Sequence, residues 1–398
     1  MEENIMKKIT ALLLAVVMVL ALAACAPSTP NTPDTQPNDT TPADTTPVDT
    51  TPVEPAGDEL NVGVFYYTYA DTYISSVRTA LDAALTEKGI TFTNYDCNNT
   101  QATQNDYIRT AITAGCNLLI VNLCTTGSAD AANAIMDLAG DVPVIFFNRA
   151  VEGTDDEGVV LNAYENIGFI GTDAPEAGHL QGQMVGQYVL DNFDALDLNG
   201  DGKISYAMFK GEEANVEAIY RTQYGVEDAD AILTAAGKPA LEYFDANNEA
   251  KYQVDPNGAW SAQAGSDFMN TNLSTYNEAN GNMIELVICN NDNMAEGVIA
   301  ALNTAGYNTG DGTTTTIPVF GVDATAAAQE LIQAGKMTGT VKQDAEGMAT
   351  AIAEAAAAVG AGSSIKDALS AVAGTADIFS ISPNVANKLY VAYAPFTA

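Results

Sequence analysis

The sequence predicts an α/β protein built as two doubly wound lobes with parallel sheets. Three observations carry that reading. From Leu60 onward, short apolar runs alternate with amphipathic helical stretches, the pattern of a parallel sheet covered by helices on both faces. After about Gly171 the alternation starts afresh. The chain, 398 residues long and 47% hydrophobic, has enough apolar material for more than one core.

In the first lobe, LNVGVFYY (60–67) reads as a buried strand and YISSVRTALDAALTEKG (73–89) as an amphipathic helix closed by glycine. ITFTNYD (90–96) is a second strand, QNDYIRTAITAG (104–115) a second helix and NLLIVNL (117–123) a third strand. SADAANAIMDLAG (128–140) is helical and VPVIFFN (142–148) a fourth strand. In the second lobe, Ala174 to Asp191 is helical, ISYAMFKG (204–211) a strand and Val216 to Ala236 a helix. LEYFD (241–245), IELVICNN (284–291) and TIPVFGVD (316–323) are strands, with helices over Ala259 to Asn272 and Ala295 to Ala305.

The first 58 residues are of another kind. Lys7 and Lys8 precede an apolar run from Ile9 to Leu22, too short for an ordinary membrane span. The run ends in LAAC, Leu22 to Cys25. This resembles the lipobox of bacterial lipoproteins, which implies a signal peptide over 1–24 and a diacylglyceryl thioether on Cys25. Translation starts at Met1 or at Met6, where MKKI begins a more usual signal. From 25 to 58 the chain is Thr, Pro and Asp with almost nothing to bury, which predicts a disordered, semi-extended tether.

The formal charge of −36, from 51 acids and 15 bases, repels nucleic acid and anionic lipid head groups. Cys97, Cys116, Cys124 and Cys289 lack CxxC spacing and read as buried free thiols. Catalytic signals are thin. The single histidine, His179, lies in a helix with no serine elbow or cysteine partner nearby, and no phosphate-binding glycine loop occurs. His179 reads as a surface or lobe-packing residue, and the chain is not expected to be an enzyme.

Doubly wound sheets bind ligands beyond the carboxyl ends of their strands. There the sequence places Tyr67, Asp71 and Tyr73, then Asn122, then Asn148 and Arg149. In the second half come Asn215, Glu217 and Arg221, then Trp260 at the opening of a helix, then Asn290, Asn291 and Asp292, and finally Asp323. Amides, carboxylates and a guanidinium bond sugar hydroxyls in pairs, and aromatic rings stack on the C–H faces of a pyranose. Singly, each is equally a turn amide, a helix cap or a surface charge. Together, at successive strand ends, they point to a sugar site.

DLNGDGKIS (197–205) is a run of oxygen ligands bent around glycine. An EF-hand loop would end in a glutamate at its twelfth position, and here that residue is Met208.

In order along the chain, VGVFYYTYADTYISSVRTA, IVNL, VPVIFFN, FIGTD, DLNGDGKIS, FKGE, ICNNDNMAEG, IPVFGVD and GTVKQDAEG resemble the galactose/glucose-binding proteins of ABC sugar transporters, over roughly 60 to 395. The resemblance implies a type I periplasmic-binding-protein fold with a three-segment hinge, crossed near Thr172, at Asp344 to Gly347 and around Asp377 to Ser382. The amino-terminal lobe would then be 59–172 with about 345–378, and the carboxyl-terminal lobe 173–344 with about 379–398. Sugar contacts carry over to Tyr67, Asp71, Tyr73, Asn122, Arg221, Trp260, Asn291 and Asp323, with Tyr73 and Trp260 sandwiching the ring. Asn215 replaces the family's histidine, Glu217 its aspartate and Gln343 its asparagine, which keeps an aldohexose expected and leaves the preferred sugar open.

The same resemblance implies a structural calcium ion. Asp197, Asn199 and Asp201 would give side-chain oxygens, Lys203 its main-chain carbonyl, and Ser205 stands where a glutamine is usual. Glu285 would close the shell. The function implied is a membrane-tethered, extracytoplasmic receptor, expected to be monomeric, that captures glucose or galactose between closing lobes and delivers it to an ABC permease. The alternative is a sensor presenting its closed form to a membrane signalling receptor.

Overall fold

The computed structural model describes residues 59–398; the expected signal peptide, Cys25 and the tether lie outside the described residues. The chain opens with β1 (Asn61–Tyr66), α1 (Thr72–Glu87), β2 (Thr91–Asp96), α2 (Gln101–Thr113), β3 (Leu118–Val121), α3 (Asp130–Ala139), β4 (Val144–Phe147) and β5 (Ile167–Gly171). It then builds a second unit from α4 (Ala174–Leu196), β6 (Ser205–Lys210), α5 (Val216–Ala235), β7 (Glu242–Tyr243), β8 (Gln253–Val254) and α6 (Ala262–Leu273). That unit continues with β9 (Leu286–Cys289), α7 (Asp292–Thr304), β10 (Val319–Asp323), α8 (Ala326–Gln333) and β11 (Gly339–Lys342). The chain returns to the first unit through α9 (Ala345–Gly360), α10 (Ile365–Ala373), β12 (Phe379–Ile381) and β13 (Lys388–Val391). It ends in the second unit with β14 (Ala394–Thr397).

The first sheet runs β12-β13-β5-β4-β3-β1-β2 and the second β14-β11-β10-β9-β6-β7, with β8 also on β6. All pairings are parallel except β12 with β13 and β14 with β11. Strand order reverses about β1 in one lobe and β6 in the other, the switch points where a crevice opens beyond the strand ends. The central strands are apolar at every position because both faces are covered. All four residues of β3, LLIV, are buried, and each such side chain stabilises the fold by about 1.5–3 kcal/mol.

The third crossing differs from expectation. β12 pairs with β13, and β13 pairs with β5, so residues 379–391 stay in the first lobe. The chain passes over only at Ala392 and Tyr393, and the second lobe gains the short β14 instead of everything after 379. The short apolar stretches near 380 and 389 are strands of the first sheet, the former at its edge.

One pattern went unread in the sequence. Gly178, Gly182 and Gly186 form a ridge on α4, and β-carbons there would lie 2.4 Å from the Tyr220 carbonyl oxygen, 2.2 Å from that of Tyr224 and 2.8 Å from the α-carbon of Ala229. The bare ridge lets α5 press its backbone onto α4. His179, beside that ridge, bonds Asp228 at 2.9 Å and stacks on Tyr224 at 3.9 Å, the packing role expected of it. The four cysteines are buried and free. Among the described residues no helix is long and apolar enough to cross a membrane.

Candidate functional site

Three helices begin at the wall between the lobes, and each is capped by a residue of the expected site. Asp71 Oδ1 accepts from the Ile74 amide at 2.7 Å at the start of α1. Asn215 caps α5 through the Ala218 amide, and Asn291 caps α7 through that of Met294. Capping and lining the wall are thus one function of each residue here. The positive helix ends also face the cleft.

The cavity enclosed there is small, about 40 Å3, room for a few water molecules with the lobes drawn together as they are here. The first lobe contributes Tyr67, Asp71, Tyr73 and Ile74, together with Asn148 and Arg149 beyond β4. From the second come Asn215, Glu217 and Arg221 on the start of α5, then Trp260, Asn291 and Asp323. Gln343, at the second crossing, completes it.

Asn122 does not line this cavity. It is fully buried at the end of β3, between β1 and β4, and its amide lies along the sheet. Nδ2 donates to the Phe147 carbonyl at 3.1 Å and to Asn148 Oδ1 at 3.2 Å, while Oδ1 accepts from the Tyr67 amide at 3.3 Å. Asn122 holds the strand ends together, and Asn148 and Arg149 stand in front of it. Both had been noted as strand-end residues without being assigned to the site. Trp260 also differs from expectation. It precedes its helix, which Ser261 caps, and its φ of +54° is incompatible with helix. Asn148 (φ +62°) and Asp323 (φ +131°) share this left-handed backbone, a cost of order 1–3 kcal/mol each that clusters at binding sites.

Arg221 is positioned from several sides. Its Nη1 donates to the Asn290 carbonyl at 2.9 Å, and its Nη2 to Gln343 at 3.1 Å and to the Tyr393 hydroxyl at 2.9 Å. Burial raises the Glu217 carboxyl above its ordinary range, with Arg221 pulling the other way, and burial raises that of Asp323 further. Tyr67 donates to Asp71 Oδ2 at 2.6 Å.

Four buried polar atoms on this wall find no partner within the protein: Arg149 Nε, Glu217 Oε2, Arg221 Nε and Gln343 Nε2. Buried polar groups are nearly always paired, so each points to a ligand or water. Three donors and one acceptor around a small space match a polyhydroxylated ring.

The lobes are drawn together over the cavity. Arg149 Nη2 reaches Glu212 of the second lobe at 2.6 Å and lies over the Tyr67 ring at 4.2 Å. Thr126 donates to the other Glu212 oxygen at 3.1 Å, and the Trp260 indole nitrogen is 3.5 Å from that carboxylate. Sequence reasoning quoted Glu212 only as part of a motif.

The 197–205 loop lies apart, between α4 and β6. Asp197 accepts from the amides of Asp201 and Gly202, Asn199 from that of Asp201, and Asp201 from that of Lys203. Parallel pairing of β6 with β9 sets Glu285 beside Ser205. Glu285 Oε1 accepts from the Leu198 amide at 2.8 Å and Oε2 from that of Ser205 at 2.8 Å. The Ser205 hydroxyl donates to the Met283 carbonyl at 2.7 Å. Among the described residues no three Asp, Glu, His or Cys side chains form a ready-made metal cluster. The loop's oxygens are hard, carboxylate and amide, of the kind calcium takes, and Glu285 reaches the backbone amides at both ends of the loop from outside it.

Two lobes of parallel sheet, three crossings and a buried polar cavity between them define a bilobal receptor for a small solute. The chain belongs to the periplasmic binding protein family: residues 62–364 match the family described as periplasmic binding protein domain. It is 32% identical over 296 residues to the D-galactose/methyl-galactoside binding periplasmic protein of Haemophilus influenzae, covering 74% of this chain and 79% of that one. Identity is 26% over 308 residues to a putative rhizopine-binding protein of Rhizobium meliloti, covering 77% and 86%. Its fold is similar to that of an ABC transporter solute binding protein from Bacillus halodurans with bound myo-inositol. The TM-score is 0.61 at 21% identity, over 85% of this chain and 94% of that one. It is similar also to a periplasmic solute binding protein from Actinobacillus succinogenes with bound D-allose. There the TM-score is 0.59 at 17% identity, covering 85% and 98%. Family members bind solutes outside the cytoplasm and are not enzymes.

Proposed function

We propose that this chain is the sugar receptor of an ABC transporter, taking a monosaccharide into the cavity between its lobes and presenting the closed form to a membrane permease. The observation that carries the reading is the set of four unpaired polar atoms, two contributed by α5 and one each by the first lobe and the hinge. A ligand completing bonds to both lobes favours the closed arrangement, since only closure brings Arg149 and Arg221 to one ring. The name of the Haemophilus relative and the ring polyols held by the structural neighbours support a sugar, with galactose or glucose first. Calorimetry across hexoses and pentoses tests this. Heat of binding to none of them at millimolar concentration overturns it.

Two further assignments belong to the same reading. Calcium is held by Asp197, Asn199, Asp201, the Lys203 carbonyl and Glu285, with Ser205 at the edge of the shell, and it stiffens the second lobe without touching sugar. Cys25 carries the lipid, and residues 26–58 hold the receptor clear of the membrane. Incorporation of labelled fatty acid that survives Cys25→Ala overturns the anchor.

A further inference from the structure

A second cavity, about 180 Å3, lies beside the first and is larger. Glu217 is the one residue that lines both. Its side chain is buried, and its Oε2 has no partner within the protein. The walls of the second space repeat the chemistry of the first. Glu157 and Asp173 supply carboxylates, Asn384 an amide, and Tyr220 and Tyr390 aromatic rings. These groups again come from both lobes, Tyr220 on α5 and Tyr390 on β13. Lys388 is held in place there by Glu157 at 2.9 Å, which also accepts from the Tyr390 hydroxyl at 3.2 Å. A third hollow also borders the first, sharing Tyr73, Asp323 and Gln343; the rest of its lining is alanine, serine and threonine with Gln329, Lys342, Asp344 and Glu346, and it adds no further aromatic ring.

We propose that the two cavities form one extended site, which takes, beside the free monosaccharide, a hexose in glycosidic linkage to a second ring, the hexose in the first space and the second ring in the other. This rests on the sugar-binding reading. Glu217 accepts a hydroxyl between the two rings, and the second ring lies among the carboxylates, the amide and the tyrosines of the second space.

Calorimetry of the purified full chain with glucose, galactose and a panel of disaccharides containing either tests the proposal. At least one disaccharide binds ten times more tightly than the better free hexose. Thr154→Trp and Asn384→Trp, which fill the second space from exposed or half-buried positions, return that disaccharide to the hexose level and leave hexose affinity unchanged. Disaccharides that never exceed the hexoses, or a gain that survives both variants, overturn the extended site. If neither hexose nor disaccharide binds, the sugar reading itself falls.

Discussion

Gly211 lies under the indole of Trp260: a β-carbon at that glycine would sit 2.1 Å from ring atom Cδ2. The only tryptophan of the chain thus rests on bare backbone at the end of β6, held in a left-handed conformation that its own side chain disfavours. Glycine at 211 is a condition for the wall that Trp260 forms.

Gly211→Ala should push the indole off its seat and weaken sugar binding by about tenfold. Trp260→Ala should cost about 1–3 kcal/mol, as aromatic truncations in tight sites do. Titration calorimetry reads both. Unchanged affinity in Gly211→Ala would show that the ring can be displaced without consequence.

Arg149 and Glu212 join the lobes at 2.6 Å with side chains 5% and 20% exposed. Breaking a fully buried pair costs about 3–5 kcal/mol, and the partial exposure of Glu212 lowers that figure. A double-mutant cycle of Arg149→Gln and Glu212→Gln should give a coupling of about 1–2 kcal/mol in ligand affinity. Additive effects would mean that the pair does not hold the closed form.

Chelation should lower the melting temperature of the wild type, because an ion bound at a hundred times its Kd stabilises the fold by about 2.7 kcal/mol. Glu285→Gln should melt at the same temperature with and without EDTA. A wild-type melt indifferent to EDTA counts against calcium in the loop.

Burial pushes the Asp292 carboxyl up to about 7 and that of Asp323 in the same direction. An unfolded aspartate titrates near 3.9. Between about pH 4 and 7 the native state therefore keeps a proton that the unfolded chain has lost, and stability falls as pH rises through that window. The melting temperature should be higher at pH 5 than at pH 8. A profile rising over that range would mean that the Thr340 hydroxyl and Thr325 amide bonded to Asp292 offset its burial.

Most of the site was legible because strand ends in doubly wound sheets converge whatever the loops do. Periodicity and position place Tyr67, Asp71, Arg221 and Asp323 at or after strand ends, and the resemblance singles them out as contacts. Asn122 misled for a physical reason: an amide at a strand end bonds sideways to neighbouring strands as readily as forwards to a ligand, and residue type does not encode that choice. Arg149 was visible as a strand-end residue, but its reach to Glu212 depends on how the lobes meet. The third crossing was misplaced because β12 and β14 have three and four residues, too few for a pattern to show which sheet they join.

The Tyr393 hydroxyl lies 2.9 Å from Thr172 Oγ1 and accepts from Arg221 at 2.9 Å. Two of the three strands of the pivot are therefore tied to each other and to Arg221, which lines the cavity. Mechanical axis and recognition surface share an atom, so a substitution that resets the resting angle of the lobes at Tyr393 also re-aims the guanidinium. A change at Tyr393 therefore bears on the pivot and on the aim of Arg221 at once, whereas one at Trp260 bears on the wall alone.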